Sequence, residues 1–361
     1  MRPVFHSLLP FVAWAAVGCI VHGGGAPATS GGGVTPGASA ATGAPGAAFA
    51  SGRGSAELPV PPGGGVPRPS GAPGHLTVLD WAGFKAAVSY TFDDTNSSQI
   101  QHYAELQALG VRMTFYLITG KTAELADPVW ARAVKDGHEL GNHSRRHVRA
   151  GTAADLEAAD SDLRGKFGVT VYTMASPFGD ASYPPLATTR YLINRGVVNG
   201  PIAPGDDTDP FNIHCYVPPA RAAAATFNAE VDAVRNGGAW TTVLVHGFLG
   251  GSDAAYQPVD IGEFTASVNH AKSFGDVWID SVVNVGAYWR AQKLFAGITP
   301  TTSGNSTTWT WTLPPHFPPG RVLRVKIDGG TLTQPGGRTL AWDDRGYYEV
   351  ALDAGSLTLS P

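Results

Sequence analysis

Between residues 85 and 295 the chain alternates short apolar runs with helical stripes, and this alternation limits the fold more than any other feature. Residues 85–92, 111–117, 169–174, 196–199, 241–245 and 277–279 read as strands, and residues 138–141 as a short extended piece. Residues 98–109 place Ile100, Tyr103, Leu106 and Leu109 on one helical stripe, with Gly110 as the stop. Asp127-Pro128 opens a second helix in the order of cap and first-turn proline, and Gly137 closes it. Thr152, with Asp155 three residues on, opens a third; residues 226–235, 261–273 and 281–295 are further helices. Repeated strand-then-helix units fold as a parallel sheet, open or closed into a barrel, so the expected class is α/β. In such barrels the reactive groups sit on the loops that follow the strands.

After about residue 297 the pattern changes. Residues 307–313 alternate Thr with Trp, and residues 322–327, 340–342 and 347–352 are strand-like. Turn signals separate them, among them Pro318-Pro319-Gly320, Asp328-Gly329-Gly330 and Asp353-Ala354-Gly355. Residues 297–361 are therefore expected to form a small all-β domain, with residues 76–296 as the main domain. Trp309 and Trp311 have two readings, a carbohydrate contact or packing against the main domain.

The N-terminal part has a different composition. Residues 1–21 read as an export signal: Arg2 is the positive end, and the apolar core at 8–17 is too short to span a bilayer. Ala16-Val17-Gly18-Cys19 resembles a bacterial lipobox, with Ala where Leu is usual three residues before the Cys. Lipidation of Cys19 would make an envelope or cell-surface lipoprotein, and ordinary cleavage nearby would make a secreted protein. Residues 22–75 are almost wholly Gly, Ala, Pro, Ser and Thr, with Phe49 the only aromatic, and read as a disordered linker. Cys215 then has no partner, so no disulfide framework is implied. With 43% hydrophobic residues in a chain of 361, a sizeable core is expected. A net charge of -4 without a basic run removes nucleic acid as a partner, and membrane contact is expected only through the N-terminal anchor.

The strand at 85–92 ends in Asp93-Asp94. Neighbouring side chains on an extended chain point apart unless the chain turns. A turn there lets one carboxylate bind a metal and the other face a water. His143 and His147 are four apart, so on a helical turn both imidazoles face one ion. The His-Glu-x-x-His alternative is set aside, because His138-Glu139 is followed by His143, five residues from His138 rather than four. Two nitrogens and one carboxylate leave open positions on a divalent ion, which lowers the pKa of bound water and polarises a carbonyl. A second carboxylate could take the water's proton, and His246, at the end of an apolar run, could protonate a leaving group. Taken singly, each feature has an ordinary structural explanation: a solvated turn, satisfied histidines, a core histidine at a strand end.

Taken in order, these features resemble NodB-type polysaccharide deacetylases, the carbohydrate esterase family 4 enzymes. The resemblance is carried by Thr91-Phe92-Asp93-Asp94, His143-Ser144-Arg145-Arg146-His147, Ser176-Pro177-Phe178-Gly179 and Leu244-Val245-His246. It covers about residues 76–290 and implies a distorted (β/α) barrel that removes acetyl groups from an acetylated polysaccharide with a divalent ion. That ion is expected to be zinc, with cobalt, nickel or manganese also compatible. By position, Asp93 is the expected base, Asp94, His143 and His147 the metal ligands, and His246 the acid. The Phe178 backbone N–H joins the metal at the oxyanion, and Trp278 and Pro177 are expected to contact substrate. Ala175 stands where many relatives carry an Arg that pairs with the catalytic Asp, and Arg221 is the expected replacement. Asp207 and Asp209 are the candidate partners of His246. The expected activity is N-deacetylation; the alternatives are an O-acetyl esterase of the xylan type and an inactive glycan-binding lipoprotein.

Overall fold

The computed structural model describes residues 57–361, so the expected signal, Cys19 and the linker up to residue 56 lie outside the described residues. Eight strands and nine helices build the first part: β1 (Leu76–Val78), β2 (Ala86–Phe92), α1 (Ser97–Gln101), α2 (Tyr103–Ala108), β3 (Thr114–Leu117), α3 (Thr122–Leu125), α4 (Val129–Lys135), β4 (Glu139–Asn142), α5 (Ala153–Phe167), β5 (Thr173–Ala175), α6 (Tyr183–Ala187), β6 (Ile193–Arg195), α7 (Ala224–Gly237), β7 (Trp240–Val245), α8 (Ile261–Ser273), β8 (Val277–Ile279) and α9 (Val282–Ala296). The main sheet is parallel in the order β6-β5-β4-β3-β2-β7, and β8 pairs with the first half of β2. Every residue of β2 and β7 is buried, as expected of parallel strands covered on both faces.

The sheet curls into a distorted (β/α) barrel. Its edge strands β6 and β7 do not pair directly: Ile213 bridges Arg195 and Tyr216 bridges Val243, both in parallel. The distortion lies there, since extended chain rather than a strand closes the gap. The sixth strand also falls earlier than the sequence pattern suggests. It covers Ile193–Arg195, while Val197 and Val198 beyond it are exposed.

Helix ends follow their local chemistry. The Thr152 hydroxyl accepts from the Asp155 N–H at 3.2 Å, but the Asp155 carboxylate turns to Arg146 instead of back to the cap. Asp127 accepts from the Val129 N–H, and Asp260 from the N–H groups of Gly262 and Glu263. The helix expected at 98–109 is interrupted at His102, giving α1 and α2. Helix α9 is buried nearly all round because it lies between barrel and β region, and its N-terminus is capped from outside. Thr114 Oγ1 accepts from the Val282 N–H and Glu139 Oε2 from the Val283 N–H.

The second part is all β: β9 (Thr301–Ser303), β10 (Ser306–Thr310), β11 (Val322–Ile327), β12 (Thr331–Gln334), β13 (Arg338–Thr339), β14 (Trp342–Asp343), β15 (Tyr347–Ala351) and β16 (Ser356–Ser360). They form two antiparallel sheets, and β1 joins one of them by pairing with β11. Barrel and β region share one hydrophobic core through α9, which runs from Trp240 and Trp278 to Leu323, Tyr348 and Leu357. Trp311 is buried there, and Trp309 stacks on Phe295 at 6.4 Å, so both rings pack against the barrel side.

The expected linker boundary at residue 75 is corrected by the same region. Leu58 is buried, the Pro59 carbonyl accepts from Arg324, and the Val66 carbonyl accepts from the Trp342 indole. Residues 57–75 are thus laid onto the β sheets by specific bonds. Cys215 is buried and free. Among the described residues, no helix is long and apolar enough to cross a membrane.

Candidate active site

The chain turns sharply after β2. Asp94 and Thr95 both adopt left-handed backbone, with φ of 77° and 55°, and both carboxylates reach the His143 imidazole, Asp93 Oδ2 at 3.5 Å and Asp94 Oδ1 at 3.4 Å from its Nε2. Non-glycine residues in that region cost about 1–3 kcal/mol each, so the surroundings must hold the turn. They do: Thr95 Oγ1 accepts from the Ile118 N–H at 2.7 Å, and the side-chain amides of Asn96 and Gln99 both donate to the His246 carbonyl at 2.7 Å. The Asp pair and His246 are therefore tied to each other through backbone.

His143 follows β4, and its Nδ1–H donates to the Ala175 carbonyl at 2.9 Å. That bond fixes the tautomer and leaves the Nε2 lone pair facing Asp94 Oδ1 at 3.4 Å. His147 Nε2 lies 3.2 Å from the same oxygen. The two histidines do not meet on a helical turn as the spacing suggests. Residues 143–147 form an irregular turn with Ser144 and His147 at φ of 60° and 49°. Asn142 holds it: its carboxamide oxygen accepts from the Ser144 N–H, and its NH2 donates to Asp160 and the Leu156 carbonyl.

These atoms fit a cation. Asp94 Oδ1 is buried and receives no hydrogen bond, although two imidazole nitrogens face it. A carboxylate oxygen and two nitrogen lone pairs repel unless a proton or a metal lies among them. The candidate ligand atoms of Asp94, His143 and His147 all lie within 4.8 Å of one another. The separations from Asp94 match the ~3.3 Å expected between ligands of a tetrahedral ion with bonds of ~2.0–2.1 Å. The electrostatics agree. Burial opposes charge on His143, but Asp93 and Asp94 outweigh it and raise its pKa. Burial also opposes charge on Asp94, yet His143 and its neighbours push its pKa far down. Burial, reinforced by His143, holds His147 down to about 4.

Asp93 is clamped by Arg195, not by Arg221. The Arg195 Nη2 forms a short buried ion pair with Asp93 Oδ2, while Nη1 donates to the Gly196 carbonyl at 2.9 Å. Arg195 is fully buried beside the Tyr116 ring, and Asp93 outweighs the cost of burial to raise its pKa above the ordinary value. Arg221 is exposed at a left-handed position and makes no ion pair among the described residues. The expectation for Arg221 is thus corrected: the charge that Ala175 lacks comes from the end of β6. The sequence signal was an Arg inside the apolar run Tyr191-Leu192-Ile193-Asn194-Arg195, where burial demands a carboxylate.

His246 follows β7 on the cleft wall, its ring edge-on to Tyr256 at 5.2 Å. Burial lowers its pKa against the pull of Asp93 and Asp94. Neither Asp207 nor Asp209 pairs with it; both are exposed, and Asp209 caps its own turn through the Phe211 N–H. Phe178 has φ 58°, and its backbone N–H donates to no protein acceptor among the described residues. Its ring is 49% exposed and packs 4.4 Å from His147.

Two expected substrate contacts are corrected. Trp278 sits at the opposite end of the sheet, paired with Ala87 and buried between Phe84 and Tyr288, with its indole N–H on Asp280. Pro177 is buried behind its turn, and Ser176 and Phe178 face the cleft in its place. The cleft has a volume of about 610 Å³ and is walled by Asp93, Asp94, the three histidines, Arg149, Ser176, Phe178, Val197, Val217, Leu244, Tyr256 and Gln257.

The parallel barrel thus gathers a clamped carboxylate, a second carboxylate and three histidines at its strand ends. Residues 83–193 match the family model described as polysaccharide deacetylase, about a third of the chain. A gellan lyase from a Bacillus species is 32% identical over 138 residues, which are 36% of this chain and 5% of that protein. The chain thus spans about a twentieth of that curated relative's length. Similar solved structures include the family 4 domain of a multidomain xylanase from the hindgut metagenome of Trinervitermes trinervoides, at 18% identity and TM-score 0.36, covering 55% of this chain and 88% of that one. Others are a family 4 acetyl xylan esterase from Clostridium thermocellum in complex with cobalt (17%, 0.40, 55% and 89%) and a peptidoglycan deacetylase from Bacillus subtilis (18%, 0.35, 55% and 89%).

Proposed function

We propose that the protein is an exported, metal-dependent deacetylase that removes N-acetyl groups from a polysaccharide of the cell envelope or its surroundings. The observation that carries this reading is the buried, donor-less Asp94 Oδ1 facing His143 and His147, one residue from a carboxylate held separately by Arg195. Asp94, His143 and His147 would hold the ion, and zinc suits their nitrogen and oxygen donors best. The ion, when bound, polarises the acetyl carbonyl and acidifies a coordinated water.

The chain's own groups do the rest. Asp93, aimed by Arg195, accepts the proton of the attacking water. The Phe178 N–H, free of other acceptors, donates to the developing oxyanion. His246, on the cleft wall, delivers a proton to the leaving amine. An O-acetyl ester would meet the same atoms, and a pure glycan binder would have no use for a buried Arg–Asp clamp. The N-terminal signal, with Cys19 lipidated or the chain secreted, accords with a polymeric substrate outside the cell.

Acetate release from N-acetylated and O-acetylated glycans, with and without chelator, tests this reading. Chelator-sensitive release from the N-acetylated set is expected. Release from xylan alone would reassign it as an esterase, and no release from any glycan would leave the binder.

A further inference from the structure

One charged side chain of the cleft has no role in the scheme above. Arg145, Arg146 and Arg149 all leave the turn that carries the two histidines. The first two are neutralised by helix α5, Arg145 by Asp162 and Arg146 by Asp155. Arg149 is exposed on the cleft wall and makes no ion pair among the described residues. Its guanidinium lies 4.7 Å over the Phe178 ring, which in turn packs against His147, so the charge is held at the mouth beside the ligands. Asp180, within its electrostatic reach, spends Oδ1 on the Ser182 N–H and hydroxyl. A second cation, Lys121, lies within electrostatic reach of His147, donates to the neutral Asn96 oxygen and makes no ion pair among the described residues. The acids inside the cleft are committed, Asp93 to Arg195 and Asp94 to the histidines.

We infer that the glycan taken by this cleft bears a carboxylate next to the acetylated sugar, and that Arg149 reads it. This deepens the deacetylase reading and rests on it for the acetyl group alone. A guanidinium offers a planar fork of N–H donors that matches a carboxylate, and stacking on Phe178 leaves that edge free. An uncompensated cation at a cleft mouth also concentrates anionic polymer there. The feature is local, because the chain as a whole carries -4. The carboxylate can be a lactyl ether on the sugar or a uronic acid within the chain.

The test measures binding by affinity electrophoresis of the full chain in chelator, and acetate release by the zinc-loaded chain. Two probe pairs separate the sources: oligomers of N-acetylglucosamine and N-acetylmuramic acid, and acetylated oligogalacturonides, each beside its carboxyl-reduced counterpart. The carboxylated member of at least one pair should bind about fivefold tighter, the gain a partly screened surface ion pair gives. Arg149→Gln should abolish the difference and leave both members binding like the reduced form. Raising the salt should erode the wild-type preference. Equal wild-type binding of both members in both pairs, or a preference that survives Arg149→Gln, overturns the inference. Acetate release without a carboxylate preference sinks only this inference. A carboxylate preference without acetate release sinks only the deacetylase reading.

Discussion

Replacing Arg195 with Met tests the clamp on the base. Met roughly fills the space of the aliphatic stem and removes the guanidinium, so the Asp93 carboxylate is left 2% exposed without its ion-pair partner. Stripping one partner from a buried pair costs about 3–5 kcal/mol, because the remaining charge stays desolvated. The full range applies here, since Arg195 is wholly buried and its other bond, to the Gly196 carbonyl, is lost as well. Denaturant unfolding should therefore show a loss of about 3–5 kcal/mol at neutral pH. Turnover should fall by about two orders of magnitude, the usual effect of a mis-aimed general base. Adding Asp93→Asn to Arg195→Met should cost much less than the sum of the single changes, since both act on one pair. Arg221→Ala is the control and should stay within about 0.5 kcal/mol of the parent. Additive single-variant effects, or an Arg195→Met protein with the stability and turnover of the parent, would refute the assignment.

Three further perturbations follow from the same structure. Asp94→Asn keeps the shape but removes the negative charge that faces His143 and His147, so calorimetric zinc affinity should drop at least about tenfold; unchanged affinity would mean another set of ligands. Burial holds His138 down to about 4 from 6.5, with Nδ1 accepting from the Met113 N–H. The unfolded chain therefore binds the extra proton first, and stability should fall by ~3 kcal/mol through this group as pH drops from 6.5 to 4. His138→Gln should flatten that part of a stability-versus-pH curve, and an equally steep curve would discount the group. Two helical glycines should respond oppositely to Ala. A Cβ at Gly165 meets nothing within 4 Å, and its replacement should stabilise by about 0.5–1 kcal/mol. A Cβ at Gly286 would come within 2.8 Å of Ile193 Cγ1, and overpacking of about 1–3 kcal/mol should outweigh that gain. Matching thermal shifts for the two would discount the close contact.

The chain's own pattern determined the parallel α/β body, the all-β end and the strand ends that bear Asp93, Asp94, His143 and His246. Periodicity carries that information because a buried strand or amphipathic helix must repeat its apolar positions locally. It also brought His143 and His147 together, though by a mechanism the structure replaces: two left-handed residues and the Asn142 side chain make the turn, not a helix. The partner of Asp93 was not legible. Strand β6 is three residues long, too short to show a period, and the exposed Val197-Val198 pair drew the reading past Arg195. The ordered stretch from 57 to 75 escaped for a related reason. Its composition favours a free tether, and what holds it down is supplied by distant chain: Arg324, Trp342, Asp344, Asp328 and the pocket for Leu58 among others. Local sequence set which segments could be strands and helices. Contacts between residues far apart in the chain decided which charge met Asp93, because a buried ion pair is specified by the fold that desolvates it.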